Sequence, residues 1–370
     1  MVEPFKNIFR RETVQQLAEA LAEAGSFDAG AFLVDAMVGL DELELKDRVR
    51  QLSRTLRAHL AAEYSDAVAQ ILRALPPPLS EDRTVTSGFV IWPLCQFVED
   101  HGLDEPELSL AALYELTRRF SAEFAIRPYL LHHRELTLRH LEQWVEDPDH
   151  HVRRLVSEGT RPRLPWGIRL TPFVDDPTPI LPLLEQLQDD PEEYVRRSVA
   201  NNLNDISKDN AKIAVEVCRR WMLNSNAPRR KLIRHALRTL VKAGDPKALE
   251  VLGFAPPRVQ ILAFDGPDTA RIGDAAQLSA RIKSTSNEDQ RLIVDYAMLS
   301  PSAKGGFNRR IFKWSTRTIA AGGTIEISHK HPFKPVTTRP TRPGEHRFEL
   351  QVNGQKLAEH RMDLQEPADA

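Results

Sequence analysis

The chain has 370 residues, enough for two domains with cores of their own. Its hydrophobic content of 41% is that of an ordinary globular protein, and no stretch reads as a secretory signal or as long enough to span a bilayer. A formal net charge of −2 argues against a uniformly basic nucleic-acid binder but leaves room for a one-sided one. The first 150 residues are acid-rich, whereas Arg and Lys dominate 151–170, 229–247 and 304–347. Cys95 and Cys218 lie in apolar helical contexts, which predicts buried reduced thiols and a cytoplasmic protein. No C-x-x-C or H-E-x-x-H pattern occurs, so neither a metal nor a cofactor is expected.

Residues 11–75 read as amphipathic helices. "TVQQLAEALAEAG" puts Val14, Leu17, Ala18 and Leu21 on one face, with Gly25 as the stop. "LELKDRVRQLSRTLRAHL" repeats the pattern with Leu45, Val49, Leu52, Leu56 and Leu60. The prolines at 76–78 break the run, and further helices are predicted over 85–101, 106–120 and 121–145.

From about 135 a repeat begins. "LEQWVEDPDHHVRRLVSEG" and "LEQLQDDPEEYVRRSVANN" share L-E-Q, Asp-Pro and V-R-R, at an offset of 43 residues. "NAPRRKLIRHALRTLVKAGD" reads as a third, shorter copy. Helical pairs repeating every 40–47 residues or so are the mark of HEAT or armadillo solenoids. The Asp-Pro pair predicts a helix start, with the Asp capping and the Pro inside the first turn.

Beyond "APPRVQILAF" the texture changes. "VQILAF", "AQLSARIKS", "RLIVDYAML", "RRIFKWST", "TIEISHKH" and "HRFELQVNG" are short alternating runs separated by turn signals. They predict a β-sandwich of about 100 residues, with Asn-Gly in "VNGQKL" closing a hairpin. The expected architecture is mostly α, a HEAT-like solenoid over 1–254 followed by a small all-β sandwich over 258–370.

The basic segment 152–170 crowds Arg153, Arg154, Arg161, Arg163 and Arg169 around one acid, Glu158, before a proline-broken stretch holding Trp166. In the next copy Arg197, Asn201 and Asp205 fall at i, i+4 and i+8, roughly along one helix face. Arg154 and Glu158 hold the same relation as Arg197 and Asn201. Matching positions of a solenoid line one concave surface, so the pattern predicts an arginine row with Glu158 and Asp205 near one end. An exposed helical ion pair would explain Arg154 and Glu158 alone, at only a few tenths of a kcal/mol. Arg230, Arg234, Arg238 and Lys242 form a further basic face with few local acidic partners, for which phosphate backbones are the complement. Lys330, Lys334, Arg339 and Arg342 give the β module a basic loop. The expected DNA contacts are Arg153, Arg154, Arg161, Arg163, Arg197, Lys208, Arg230, Arg234, Arg238, Lys330 and Arg339. A membrane partner is not expected, since the charge is spread over several repeats.

"VRRLVSEGTRPRLPWG", "YVRRSVANNLNDISKDN" and "RHALRTLVKAGDPKALEVLG" resemble the AlkC branch of the bacterial DNA alkylation repair glycosylases. "YAMLSPSAKGGFNRRIFKW" and "RPGEHRFELQVNG" are similar to that family's immunoglobulin-like extension. The resemblance spans essentially the whole chain. It implies action on duplex DNA that carries a cationic alkylated base such as 3-methyladenine or 3-methylcytosine, and a monomer is expected. The base would be freed by hydrolysis of its N-glycosidic bond, leaving an abasic site. By the same resemblance Asp205 stabilises the sugar cation and positions water, Glu158 and Glu123 line the pocket, and Trp166 packs against sugar or lesion. The competing reading is a non-catalytic helical-repeat scaffold that binds DNA or protein through the same basic face.

Overall fold

The computed structural model describes residues 5–79, 85–334 and 341–367. The chain divides into two compact units, Met1–Ala214 with Asn224–Ala236, and Val215–Leu223 with Leu237–Ala370.

The first unit opens with α1 (Arg11–Ala24), α2 (Ala29–Met37), α3 (Leu45–His59) and α4 (Tyr64–Arg73). The spacing read from the sequence decides their packing: Val14, Leu17, Ala18 and Leu21 are buried, as are Val49, Leu52, Leu56 and Leu60. Next come α5 (Trp92–His101) and α6 (Pro106–Thr117). The stretch 121–145 is not one helix. Pro128, in the first turn of α7, and the non-helical His133 split it into a turn over 121–126, α7 (Arg127–His132) and α8 (Arg134–Trp144).

The repeated motifs start α9 (His150–Gly159) and α12 (Glu193–Asp209); α10 (Thr171–Asp175) and α11 (Leu181–Leu187) lie between them. α12 packs against α9 on one side and α14 (Ala227–Ala236) on the other, after α13 (Ala211–Met222). The Asp-Pro pairs correct the expectation. Pro148 and Pro191 precede their helices instead of entering the first turn, because the cap positions are taken by the next residues, Asp149 and Glu192. Asp147 and Asp190 accept from the backbone N–H two residues on, at 2.8 Å each, and Asp149 is the cap of α9. The expected arrangement occurs at Asp245, which caps α16 (Pro246–Val251) with Pro246 as its first residue, following α15 (Arg238–Ala243).

The strands of the second unit are β1 (Val259–Asp265), β2 (Thr269–Arg271), β3 (Ala275–Ser284), β4 (Gln290–Pro301), β5 (Phe307–Ile319), β6 (Thr324–Pro332), β7 (Gly344–Val352) and β8 (Gln355–Gln365). They form a three-stranded sheet ordered β1-β3-β6 and a five-stranded sheet ordered β2-β8-β7-β4-β5. Strict alternation buries every second residue of β3, so Leu278, Ala280 and Ile282 meet Tyr296, Val294, Phe348 and Leu350 of the other sheet. The Asn353-Gly354 turn has φ of 44° and 78°, as a type I′ hairpin needs. β2 was not signalled by the sequence; three residues are too short for a period.

No helix among the described residues is long and apolar enough to cross a membrane. Cys95 and Cys218 are buried free thiols.

Candidate active site

Glu158 lies in the last turn of α9 and Asp205 on α12, one repeat apart, and both are buried. They do not touch each other directly. Arg161, itself 8% exposed, joins them: its Nη1 donates to Glu158 Oε1 at 2.7 Å and its Nε to Asp205 Oδ2 at 2.8 Å. Lys208, one turn beyond Asp205, donates to Asp205 Oδ1 at 2.7 Å. Ser198 donates to Glu158 Oε2 at 2.6 Å and accepts from Ser157 at 2.7 Å.

The third acid enters from another element. Glu123 sits in the turn before α7, where Ser121 and Arg154 donate to its Oε2 at 2.8 and 2.7 Å. Arg154 also approaches Glu158 at 3.6 Å, so Glu123, Arg154, Glu158, Arg161 and Asp205 form one alternating chain of charge. The guanidinium of Arg154 lies 4.9 Å from the centre of the Tyr194 ring. Gly159 makes the approach possible: a Cβ there would stand 2.7 Å from Ile126 Cγ2, at the end of the turn that carries Glu123.

Burial alone would raise the Glu158 pKa, but Arg154, Arg161 and the Ser198 hydroxyl outweigh it and hold the carboxyl below its ordinary range. Burial likewise opposes charge on Arg154 and Arg161, and their carboxylate partners overcome it in both cases. A buried pair of this kind contributes little net stability, but removing one partner strands the other at a cost of about 3–5 kcal/mol. Glu158 is therefore held in its charged form, and the donors on Glu123, Glu158 and Asp205 preorganise the cluster.

Trp166 has φ 66° and is 70% exposed. A non-glycine residue in the left-handed region costs about 1–2 kcal/mol, so this indole is held out in a strained conformation.

Several expected phosphate ligands spend their donors on protein. Arg153 pairs with Asp190 at 2.6 Å and donates to the carbonyls of Asp147 and Pro148. Arg163 pairs with Asp209 at 2.6 Å. Arg154, Arg161 and Lys208 hold the carboxylates described above. Arg197, Arg230 and Arg234 are exposed, and Arg169 is exposed beside Asp209. The basic face of α14 is less bare than its local sequence implies, because Arg229 pairs with Asp189 and Lys231 with Glu193 of the preceding repeat. In the second unit Arg238 is half-buried, while Lys242, Lys330, Lys334 and Arg342 are exposed. Arg339 lies outside the described residues.

Ser121, Ser198, Arg127 and Lys46 were missed from sequence. Ser198 had a signal: its repeat-equivalent is Leu155, and a hydroxyl replacing a core leucine marks a polar neighbour. The others come from outside the repeat and carry no such signal. Among the described residues, Asp149, His150 and His151 bring ligand-type atoms within 4.8 Å of one another. Asp149 caps α9 and lies 3.5 Å from Arg118, which suits a helix cap better than a cation site.

A model of the C-terminal Ig-like domain of the uncharacterised protein YhaZ matches residues 261–366. The uncharacterised protein YhaZ of Bacillus subtilis (strain 168) is 35% identical over 355 residues, covering 95% of this chain and 96% of its own. The fold is also similar to the Pseudomonas fluorescens alkylpurine DNA glycosylase AlkC, solved bound to DNA containing an abasic site analog. That chain is 34% identical, with a TM-score of 0.88 over 98% of this chain and 100% of its own. With likeness of that extent along both the helical and the β regions, this chain belongs to the AlkC family and carries its C-terminal immunoglobulin-like domain.

Proposed function

We propose that the chain is a DNA glycosylase that hydrolyses the N-glycosidic bond of cationic alkylated bases, of the 3-methyladenine and 3-methylcytosine class, in duplex DNA. The observation that carries this reading is the junction of Glu158 and Asp205, from neighbouring repeats, through the buried Arg161. The solved AlkC glycosylase supports it by its likeness over the full chain.

The chemistry suits the cluster. A methylated base is already cationic, so it leaves with the C1′–N electron pair and needs no proton from a general acid. Positive charge then develops on the sugar, where fixed carboxylates in a site shielded from water stabilise it without reorganising. Asp205 is assigned to face the sugar and accept a proton from the attacking water, which restores neutrality at C1′. Each of its oxygens keeps a lone pair beyond the bond to Arg161 or Lys208. Glu158 and Glu123 add negative potential to the same pocket, and Trp166 packs against the sugar or lesion. The arrangement parallels glycoside hydrolysis with the acid partner dispensed with. Residues 1–254 form the catalytic body and 258–370 the accessory domain. Arg197, Arg230, Arg234, Lys330 and Arg339 are assigned to the DNA backbone. The enzyme acts as a monomer in the cytoplasm, without metal or cofactor.

The test is chromatographic detection of free base from duplexes carrying 3-methyladenine, 3-methylcytosine or the uncharged O6-methylguanine. Release of the two cationic bases but not the neutral one is expected. Release of none would leave a DNA-binding scaffold.

A further inference from the structure

The segment that leaves α9 does two things at once. It turns Arg161 inward between Glu158 and Asp205, and it holds the Trp166 indole outward. Its backbone is tied by two cations that belong to neither repeat. Arg127, the first residue of α7, is 0% exposed, and its Nη1 donates to Gly159 O at 2.9 Å and its Nε to Ile168 O at 2.6 Å. One guanidinium thus spans both ends of the segment. Lys46, on α3, donates to the carbonyl of Trp166 itself at 2.7 Å, with its ammonium 4.9 Å from the centre of the Phe124 ring. Gly167 admits the guanidinium, since a Cβ there would come within 3.1 Å of Arg127 Nε.

Arg127 feels the charge of Asp205, Glu123 and Glu158, but its hydrogen bonds go to backbone carbonyls, as does that of Lys46. Arg127 Nη2 is buried without a hydrogen-bond partner, so the guanidinium is not fully satisfied where it lies. For packing alone, an apolar side chain of similar volume would serve as well. What a guanidinium adds is a pair of donors aimed at two separate carbonyls. A bulky residue in left-handed geometry persists only where its surroundings over-determine the backbone, and these three bonds, on both sides of Trp166 and at its own carbonyl, do so.

We infer that Arg127 and Lys46 are positioning residues that hold 159–168 as a rigid arm, fixing the Trp166 indole and the Arg161 bridge as one unit. The catalytic consequence rests on the glycosylase reading; the mechanical one does not. Loss of either tie lets the indole move while Glu158 and Asp205 stay on their own helices. The chemical step is then impaired more than DNA binding is, because small displacements of groups that position a substrate cost rate steeply.

The experiment uses the full chain with Arg127→Met, Arg127→Lys and Lys46→Met. Each is made in the wild-type and the Trp166→Phe background. Hydrogen exchange over 160–168 and the Trp166 emission, taken as the difference from the Trp166→Phe protein, report on the arm directly. Single-turnover base release and affinity for a methylated duplex report on its use. Both Met variants are expected to raise exchange in the segment and shift the emission, with Arg127→Lys recovering part of each. Release is expected to fall at least about tenfold with affinity changed by no more than about threefold, and in the Trp166→Phe background Lys46→Met adds little further loss. Unchanged exchange and emission in Lys46→Met would overturn the inference, as would an undiminished effect of Lys46→Met on rate once Trp166 is gone. Lys46→Met decides the matter should Arg127→Met fail to fold. A wild-type protein that releases no base would sink the glycosylase reading, while exchange and emission would still decide the arm.

Discussion

The two Asp-Pro repeats begin alike and end differently, and the site lies where they part. The first arginine of each V-R-R makes the same bonds in both copies, since Arg153 donates to the carbonyls of Asp147 and Pro148 and Arg196 to those of Asp190 and Pro191. The second arginine diverges. Arg154 is drawn under Tyr194 to hold Glu123, whereas Arg197 stays exposed. One position later Leu155 packs in the core and Ser198 donates to Glu158. Glu158 is matched by Asn201. α9 stops at Gly159 ahead of Pro162 and Pro165, but α12 runs on to Asp209. The early stop frees the chain to fold Arg161 over the longer helix, where Asp205 waits. Repetition builds the frame, and the departures from it build the chemistry.

The comparison breaks most severely at Arg161. Arg161→Met should leave Glu158 and Asp205 buried without their shared cation and cost the first unit about 3–5 kcal/mol, read by denaturant unfolding. A loss below about 1 kcal/mol would mean that the pair is solvated in the folded protein.

Glu158 sharpens the comparison through pH, since its counterpart Asn201 does not titrate. Its carboxyl is held below the ordinary range, so the unfolded chain binds the proton more readily than the folded one. Its stabilisation is therefore full above a pH of about 4.3, the ordinary glutamate value, and is lost as pH falls through the lower folded value. Glu158→Gln should flatten the acid limb of the first unit's stability curve, and an unchanged limb would place the titration elsewhere.

The smallest effect is the most symmetrical. Arg153→Met and Arg196→Met should each cost about 1–3 kcal/mol, since each leaves turn carbonyls without their donor. Arg153→Met should cost more, as it also unpairs the buried Asp190. Equal effects would show that the Asp190 ion pair adds nothing.

Much of this was legible in the sequence because it is periodic. The buried faces of α1 and α3, the repeat, the alternation of β3 and the Asn-Gly hairpin all follow from local spacing. Glu158 and Asp205 were legible as a pair because the repeat offset aligns their helices. What the cations do was not legible. Arg153, Arg161 and Arg163 meet acids 37 to 46 residues on, and Arg154 meets one 31 residues before, so local charge counting, which offered only Glu158, missed these partners. Arg127 and Lys46 enter the site from outside the repeat and answer to no period at all.

The most direct test of the central proposal is single-turnover release of 3-methyladenine from a duplex by Asp205→Asn, with affinity for the same duplex measured alongside. If Asp205 meets a sugar that becomes cationic, the rate should fall by about 100- to 1000-fold while affinity is kept. An Asp205→Asn protein that releases the base at the wild-type rate would contradict the account and leave the carboxylates a structural pair.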